Sequence, residues 1–205
     1  MGEKASARKS LRRRVIGAAA GLFSTLVLAG GAGSYGLWRF AQGLGPLDLA
    51  GADAHSTIVV DRDGRLLRPF ATPDGRWRLP VTPAEVDPNL IALLKAYEDR
   101  RFDTHRGIDP LAALRAAGQV LFHGRIVSGA STLTMQVARL LEPREERTLS
   151  AKLRQAVRAV ELERRFPKDE ILRLYLTLAP YGGNLEGVRA ASLSYFGREP
   201  KRLSW

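Results

Sequence analysis

Two adjacent carboxylates, Glu98 and Asp99, open a stretch in which acidic and basic residues crowd together. From Tyr97 to Asp109 the sequence reads YEDRRFDTHRGID, adding Arg100, Arg101, Arg106 and His105. Upstream, Leu90, Leu93, Leu94 and Tyr97 recur at helical spacing and are expected to face inward, which sets Glu98 beside a buried face at the end of a helix. A carboxylate in that position is suited to general acid or base work. Downstream, Asp109 and Pro110 form an N-cap and first-turn pair, predicting a second helix through Leu111, Leu114 and Ala117. Gly107 permits an unusual turn in the connection. A solvated interhelical loop accounts for the same residues equally well.

A second stretch, SGASTLTMQVARLL from Ser128 to Leu141, places Gly129 and Ala130 before Ser131 and Thr132, where a helix begins. The first amides of a helix are unpaired donors, so anions bind well there. Gln136 and Arg139 follow Thr132 at spacings that share one helical face. A simple Ser/Thr cap is the structural alternative. A third stretch carries Arg147, Lys152, Arg154 and Arg158, read either as a solvated basic face or as cations that converge on a pyrophosphate. Lys152 and Arg154 do not share a face.

The elements that must position these groups come next. Residues 1–14 carry Lys4, Arg8, Lys9, Arg12, Arg13 and Arg14 against Glu3 alone, and charge then vanishes from Val15 to Trp38. As a helix that run rises about 36 Å at ~1.5 Å per residue, long enough to span a bilayer. The organisation read from this is a cytoplasmic basic tail over 1–14, a transmembrane helix over 15–38, a linker over 39–55 and one domain over 56–205. The basic flank keeps the N-terminus cytoplasmic and the domain on the outer side. A cleaved signal peptide, with small residues at 29–32 serving a peptidase, is the competing reading.

Strands are expected at Ser56–Val60 and Leu66–Phe70 around a DRDG turn, followed by Trp77–Val81. Beyond Asp87 helical patterns dominate, over 107–122, 131–140, 149–166 and 168–178. The chain stops at Trp205 without a closing helix, as a fragment would.

The sequence has 205 residues, with 32 Lys and Arg against 21 Asp and Glu, a net charge of +11. That excess favours anionic partners. With no cysteine, disulfides and thiolate sites are excluded, and the spacing of His55, His105 and His123 suggests no zinc site. Nucleic acid is not expected as a partner: six of the cations precede the apolar run and no nucleic-acid-binding motif is present.

The segments EDRRFDTHRGID, GASTLTMQ, KLRQ with ELERRFPKDEILRLYL, and GVRAASLSYFG occur in the order and spacing of the family 51 peptidoglycan glycosyltransferases, which this chain resembles over about residues 56 to 205. The GASTLTMQVARLL form looks most like the 1C-type class A penicillin-binding proteins. The resemblance implies a mainly α, lysozyme-like, two-lobed domain with a small β element, preceded by one transmembrane helix in the bacterial inner membrane. It implies polymerisation of lipid II, inverting at the anomeric carbon, with undecaprenyl pyrophosphate leaving and Glu98 as general base. Asp99 matches an acid that helps bind a divalent cation, Mg or Mn. Phe102, His105, Gly107 and Asp109 match residues that shape the cleft. Ser131, Thr132 and Gln136 match polar contacts to substrate, and Arg139, Arg147, Lys152 and Arg154 match pyrophosphate-binding cations. The partners implied are lipid II, the growing glycan strand, membrane lipid and other cell-wall synthesis proteins; no organic cofactor is implied.

Three positions depart from the family pattern. Met135 stands where many members have the first glutamine of a pair, Gln155 where the third motif has glutamate, and Thr177 where asparagine is usual. Glutamine cannot ionise, so an acid role at 155 does not carry over. A transpeptidase serine domain is not within these residues, which predicts no acylation by β-lactams; labelling by a fluorescent penicillin would refute that. Two alternatives stand beside this reading. One is a truncated, non-catalytic, membrane-anchored lipid II-binding or scaffold protein. The other is a glycoside hydrolase pairing Glu98 with another carboxylate, which the cation cluster disfavours.

Overall fold

The computed structural model of the chain describes residues 2–123, 131–143 and 148–203, without the side chains of residues 2–20, 22, 26, 117 and 120–123. Two compact units emerge, residues 1–46 and 47–205. The first is a single helix, α1 (Gly2–Gly43). The expected span at 15–38 falls inside α1, and its first turns lie outside the described side chains. Among the described residues no helix is long and apolar enough to cross a membrane.

The second unit is mainly helical with two small sheets. A short helix α2 (Ala50–Asp53) precedes strands β1 (Thr57–Val60) and β2 (Leu66–Phe70), which pair antiparallel around the DRDG turn, where Asp61 Oδ1 accepts from the amides of Asp63 and Arg65 at 2.9 and 2.8 Å. Strand β3 (Trp77–Arg78) follows, then helices α3 (Pro88–Glu98), α4 (Pro110–His123), α5 (Leu133–Leu141), α6 (Leu149–Arg165) and α7 (Lys168–Leu178). Strands β4 (Pro180–Gly182) and β5 (Leu185–Glu186) and helix α8 (Val188–Phe196) complete the unit.

Local signals account for the helix boundaries. Asp87 caps α3 by accepting from Asn89 N at 2.9 Å, and Pro88 fills the first turn, where a missing N–H costs nothing. Thr132 caps α5 and Thr148 caps α6, each accepting an amide three residues on at 3.1 Å. Gly197, at φ 64°, closes α8 in the left-handed conformation. The core joins Val137 and Leu133 of α5, Leu162 of α6, and Ile171, Leu174 and Leu176 of α7, with Phe102 and Val188.

Two expectations are corrected by tertiary pairing. The strand expected over Trp77–Val81 is confined to Trp77–Arg78 and pairs parallel with Leu185–Glu186, more than a hundred residues later. Arg78 and Glu186 are both buried; Nε of Arg78 donates to Oε2 of Glu186 at 2.7 Å, and Nη1 donates to the carbonyls of Gly51 and Ala54 at 2.6 and 2.9 Å. The stretch read as a linker is therefore partly stitched into the body, with Leu47 and Ala52 in its core. The face read as buried on α3 is also different: Leu90 and Leu94 are half-buried, but Leu93 is exposed and Tyr97 is 90% exposed.

Candidate active site

Glu98 is the last residue of α3, because Asp99 leaves helical geometry at φ −157° and ψ 76° and turns its side chain inward. The buried Asp99 carboxylate reaches the start of α5, where Oδ2 accepts from Leu133 N at 2.8 Å. A carboxylate at a helix N-terminus also meets the positive end of the helix dipole, worth up to about 2 kcal/mol in partly buried geometry. Both Asp99 oxygens lie 2.9 to 3.0 Å from His105 Nε2. Gly107 N donates to His105 Nδ1 at 3.2 Å, so Nδ1 is the acceptor and Nε2–H the donor.

The loop that carries His105 is fixed from two sides. Thr132 Oγ1 donates to Gly107 O at 2.6 Å. Gly107 has φ 92°, and a Cβ there would stand 2.7 Å from the carbonyl carbon and oxygen of Ala159 on α6, so only glycine lets the loop lie on that helix.

One turn into α5, Gln136 Nε2 donates to Glu98 Oε2 at 2.8 Å. Two bonds of opposite direction thus tie the end of α3 to the start of α5: Asp99 receives the α5 amide, and Gln136 reaches back to Glu98. Glu98 lines an open cleft of 520 Å³. Ala96, Tyr97, Asp99, Arg100, Arg101, Asp109, Leu111, Ala112, Arg115, Ser131 and Thr132 complete its lining.

Cations surround this cleft. Lys152 of α6 donates to Ser131 Oγ. Burial first, and then the nearby Arg139 guanidinium, hold the Lys152 ammonium below its usual pKa. Arg101 is committed to Asp109, with Nε to Oδ2 at 2.9 Å. Burial alone would push Asp109 up, but the Ala112 amide and the Arg101 guanidinium together hold it below the usual carboxylate value. Asp109 also caps α4, with Oδ1 accepting from Leu111 N at 3.1 Å and Ala112 N at 3.0 Å.

The residues singled out in the sequence therefore divide. Glu98, Ser131 and Lys152 stand at or beside the cleft, with Gln136 holding Glu98. Asp99, His105 and Thr132 are mostly buried supports. Phe102, expected to shape the cleft, is 1% exposed in the core, with the ammonium groups of Lys95 and Lys168 over its ring at 5.3 and 4.5 Å, and it is not among the residues that line the cleft. Arg139 and Arg154 line a separate small crevice with Glu142, Gln155 and Arg158. Arg147 and the Ser128–Ala130 segment lie outside the described residues.

That crevice bears on the departure at 155. Glu142, the C-cap of α5, sets a carboxylate next to Gln155, with Oε1 2.8 Å from Arg158 Nη2 and Oε2 3.8 Å from Arg154 Nη1. Met135 is buried, so an apolar side chain suits its position, and the polar contact to Glu98 is made by Gln136. Thr177 is 1% exposed with its hydroxyl unpaired among the described residues, and nothing in the structure explains it.

A cation held by Asp99 does not fit this geometry. The carboxylate is buried, and its oxygens are taken by the His105 ring and the Leu133 amide. Among the described residues no group of three or more His, Asp or Glu side chains could hold a metal ion.

Sequence reasoning missed two site residues. Arg115 lines the cleft from α4, where the run of Leu and Ala around it reads only as a core helix. Tyr175 of α7 is buried near Glu98: burial, and then the Glu98 charge, push its phenol up to about 12, so it stays neutral at physiological pH. Its position within an apolar repeat gave no signal of chemistry.

A helical domain in which a carboxylate at a helix end faces a cation-rich cleft is the class defined here, and comparison with known proteins specifies it. A transglycosylase family profile matches residues 63–205, and the chain belongs to that family, the family 51 glycosyltransferase domain of class A penicillin-binding proteins. It is 51% identical to penicillin-binding protein 1C of Escherichia coli over 148 residues, covering 72% of this chain and 19% of that protein. Penicillin-binding protein 1A of E. coli is 35% identical over 87% of this chain and 21% of its own length, and that of Aquifex aeolicus is 40% identical over 71% and 20%. The chain thus spans about a fifth of the length of these relatives.

Proposed function

We propose that this chain is a peptidoglycan glycosyltransferase that extends glycan strands from lipid II. The observation that carries this reading is the Glu98 carboxylate, held through one oxygen by Gln136 at the wall of a cleft that it lines. In the proposed reaction Glu98 Oε1 takes the proton of the acceptor sugar's 4-hydroxyl. The oxygen attacks the anomeric carbon of the donor, the bond to undecaprenyl pyrophosphate breaks, and the configuration inverts. The developing negative charge on the pyrophosphate needs cations close by. Lys152 beside Ser131, and Arg100 and Arg115 in the cleft wall, are placed to supply them. No step is assigned to a divalent cation.

Residues 15–38, uncharged and preceded by a basic tail, are read as the anchor in the bacterial inner membrane, with the domain outside. A lipid-linked substrate is consistent with such an anchor. A glycosidase reading would need a second free carboxylate across the cleft. The other carboxylates among the described lining residues are Asp99, engaged by the His105 ring and the Leu133 amide, and Asp109, engaged by Arg101 and two helix amides.

The test is glycan formation from labelled lipid II in detergent, comparing the chain with Glu98→Gln. Loss of general-base catalysis lowers turnover about 10²–10⁴-fold. Equal activity in the two proteins would remove Glu98 from the mechanism. A folded parent that binds lipid II and forms no polymer would favour the non-catalytic alternative.

A further inference from the structure

Glu142 stands where local preference disfavours it. It is the C-cap of α5, and the carbonyl end of a helix repels a carboxylate. Its side chain is nonetheless only 15% exposed and is turned onto α6, against which α5 packs. Oε1 lies 2.8 Å from Nη2 of Arg158, whose side chain is 3% exposed. Oε2 is buried, makes no hydrogen bond among the described residues, and lies 3.8 Å from Nη1 of Arg154. A guanidinium buried as deeply as that of Arg158 needs a counter-charge. Glu161 also meets Arg158, with Oε2 accepting from Nη1 at 2.8 Å, but its Oε1 accepts from Arg165 at 2.7 Å. Glu142 is the carboxylate of the crevice itself, whose other described lining residues include Arg139 of α5 and Arg154, Gln155 and Arg158 of α6.

We propose that Glu142 is a positioning residue for Glu98: it supplies from α5 the negative charge that Gln155 on α6 cannot carry, and so holds α5 in the placement from which Gln136 reaches Glu98. Gln136 ties α5 to the end of α3, and Glu142 ties it to α6. A helix of 9 residues anchored to two neighbours has little freedom to turn, and in a close-packed interior the loss of one tie is felt at the other. The two positions in the crevice differ in reach. A carboxylate at 155 would meet Arg154 and Arg158 within its own helix and would cross to α5 through Arg139, whereas from 142 it crosses directly. An effect on kcat follows from this only under the glycosyltransferase function proposed above.

The test compares the full chain with Glu142→Gln, Gln155→Glu and the double variant, by thermal unfolding and by steady-state glycan formation from lipid II in detergent. Glutamine at 142 keeps the shape and removes the charge. Glu142→Gln should melt below the parent and lower kcat about tenfold with KM little changed, the rate equivalent of ordinary coupling within one ion-pair network. Gln155→Glu alone should stay near the parent in both measurements, because Arg154 and Arg158 already face a carboxylate. Added to Glu142→Gln, it should restore most of the melting temperature and most of kcat. In a Gln136→Leu background Glu142→Gln should lower kcat no further, a result that loss of stability alone would not give.

A Gln155→Glu change that acts alike with and without the charge at 142 overturns the exchange of one carboxylate for the other, as does a double variant no better than Glu142→Gln. Melting that falls and recovers while kcat stays level makes Glu142 a stabilising ion pair and overturns its positioning role. A further loss of kcat in the Gln136→Leu background overturns that role too. If the variants melt as expected but the parent forms no polymer, the glycosyltransferase reading falls and the positioning role with it, while the charge exchange stands.

Discussion

Gln136 donates from Nε2 to Oε2 of Glu98 across 2.8 Å, joining the first turn and a half of α5 to the last residue of α3. The bond holds one oxygen of a carboxylate that lines the cleft, so it favours one rotamer of Glu98. A hydrogen bond to a charged group is worth about 1.5–3 kcal/mol. Gln136→Leu is therefore expected to lower kcat by roughly 10- to 100-fold with little change in KM. Steady-state assays with lipid II read the split; a large rise in KM with unchanged kcat would show that Gln136 binds substrate instead.

Asp99 is expected to behave as a structural cap. Asp99→Ala leaves the His105 Nε2–H and the Leu133 N–H buried without an acceptor, at about 1–3 kcal/mol for each. Thermal unfolding should show the loss directly. Asp99→Asn keeps an acceptor oxygen and should recover part of the stability, with an unchanged response of activity to added magnesium. A variant that shifts the magnesium requirement while melting normally would restore the cation role.

Gly107→Ala tests the contact between the loop and α6. The left-handed φ alone costs on the order of 1–3 kcal/mol for a residue with a side chain, and the clash with Ala159 adds to it. The variant should melt well below the parent, whereas Gly118→Ala, where a Cβ meets nothing, should match the parent or exceed it.

Lys152 predicts the alkaline limb of the pH profile. Its ammonium is held below the usual value by burial and then by Arg139, so its positive charge is lost earlier than a free lysine's as pH rises. Substrate affinity should fall with that loss. Removing the repulsion in Arg139→Gln should move the limb of 1/KM to higher pH, and Lys152→Arg should abolish it within the accessible range. A limb that stays in place in both variants would show that another group sets it.

Much of this protein was determined locally. Asp87-Pro88, Asp109-Pro110, Thr132 and Thr148 announce helix starts because a cap needs only a side chain and an amide two or three residues away. Glu98 and Gln136 were legible as chemistry from their types and order. The sequence could not show that they touch, since 38 residues separate them and the bond exists only once α5 docks on α3.

Tertiary structure alone decided the rest. It turned Asp99 and Phe102 inward and exposed Tyr97, because helical periodicity names a face without naming what covers it. It paired β3 with β5 and drew Arg78 onto Glu186 over 108 positions, and it brought Tyr175 next to Glu98 out of an apolar repeat. Caps and turns are settled by neighbours in the chain; burial and charge are settled by neighbours in space, which is why Glu98 was readable as a candidate and its surroundings were not.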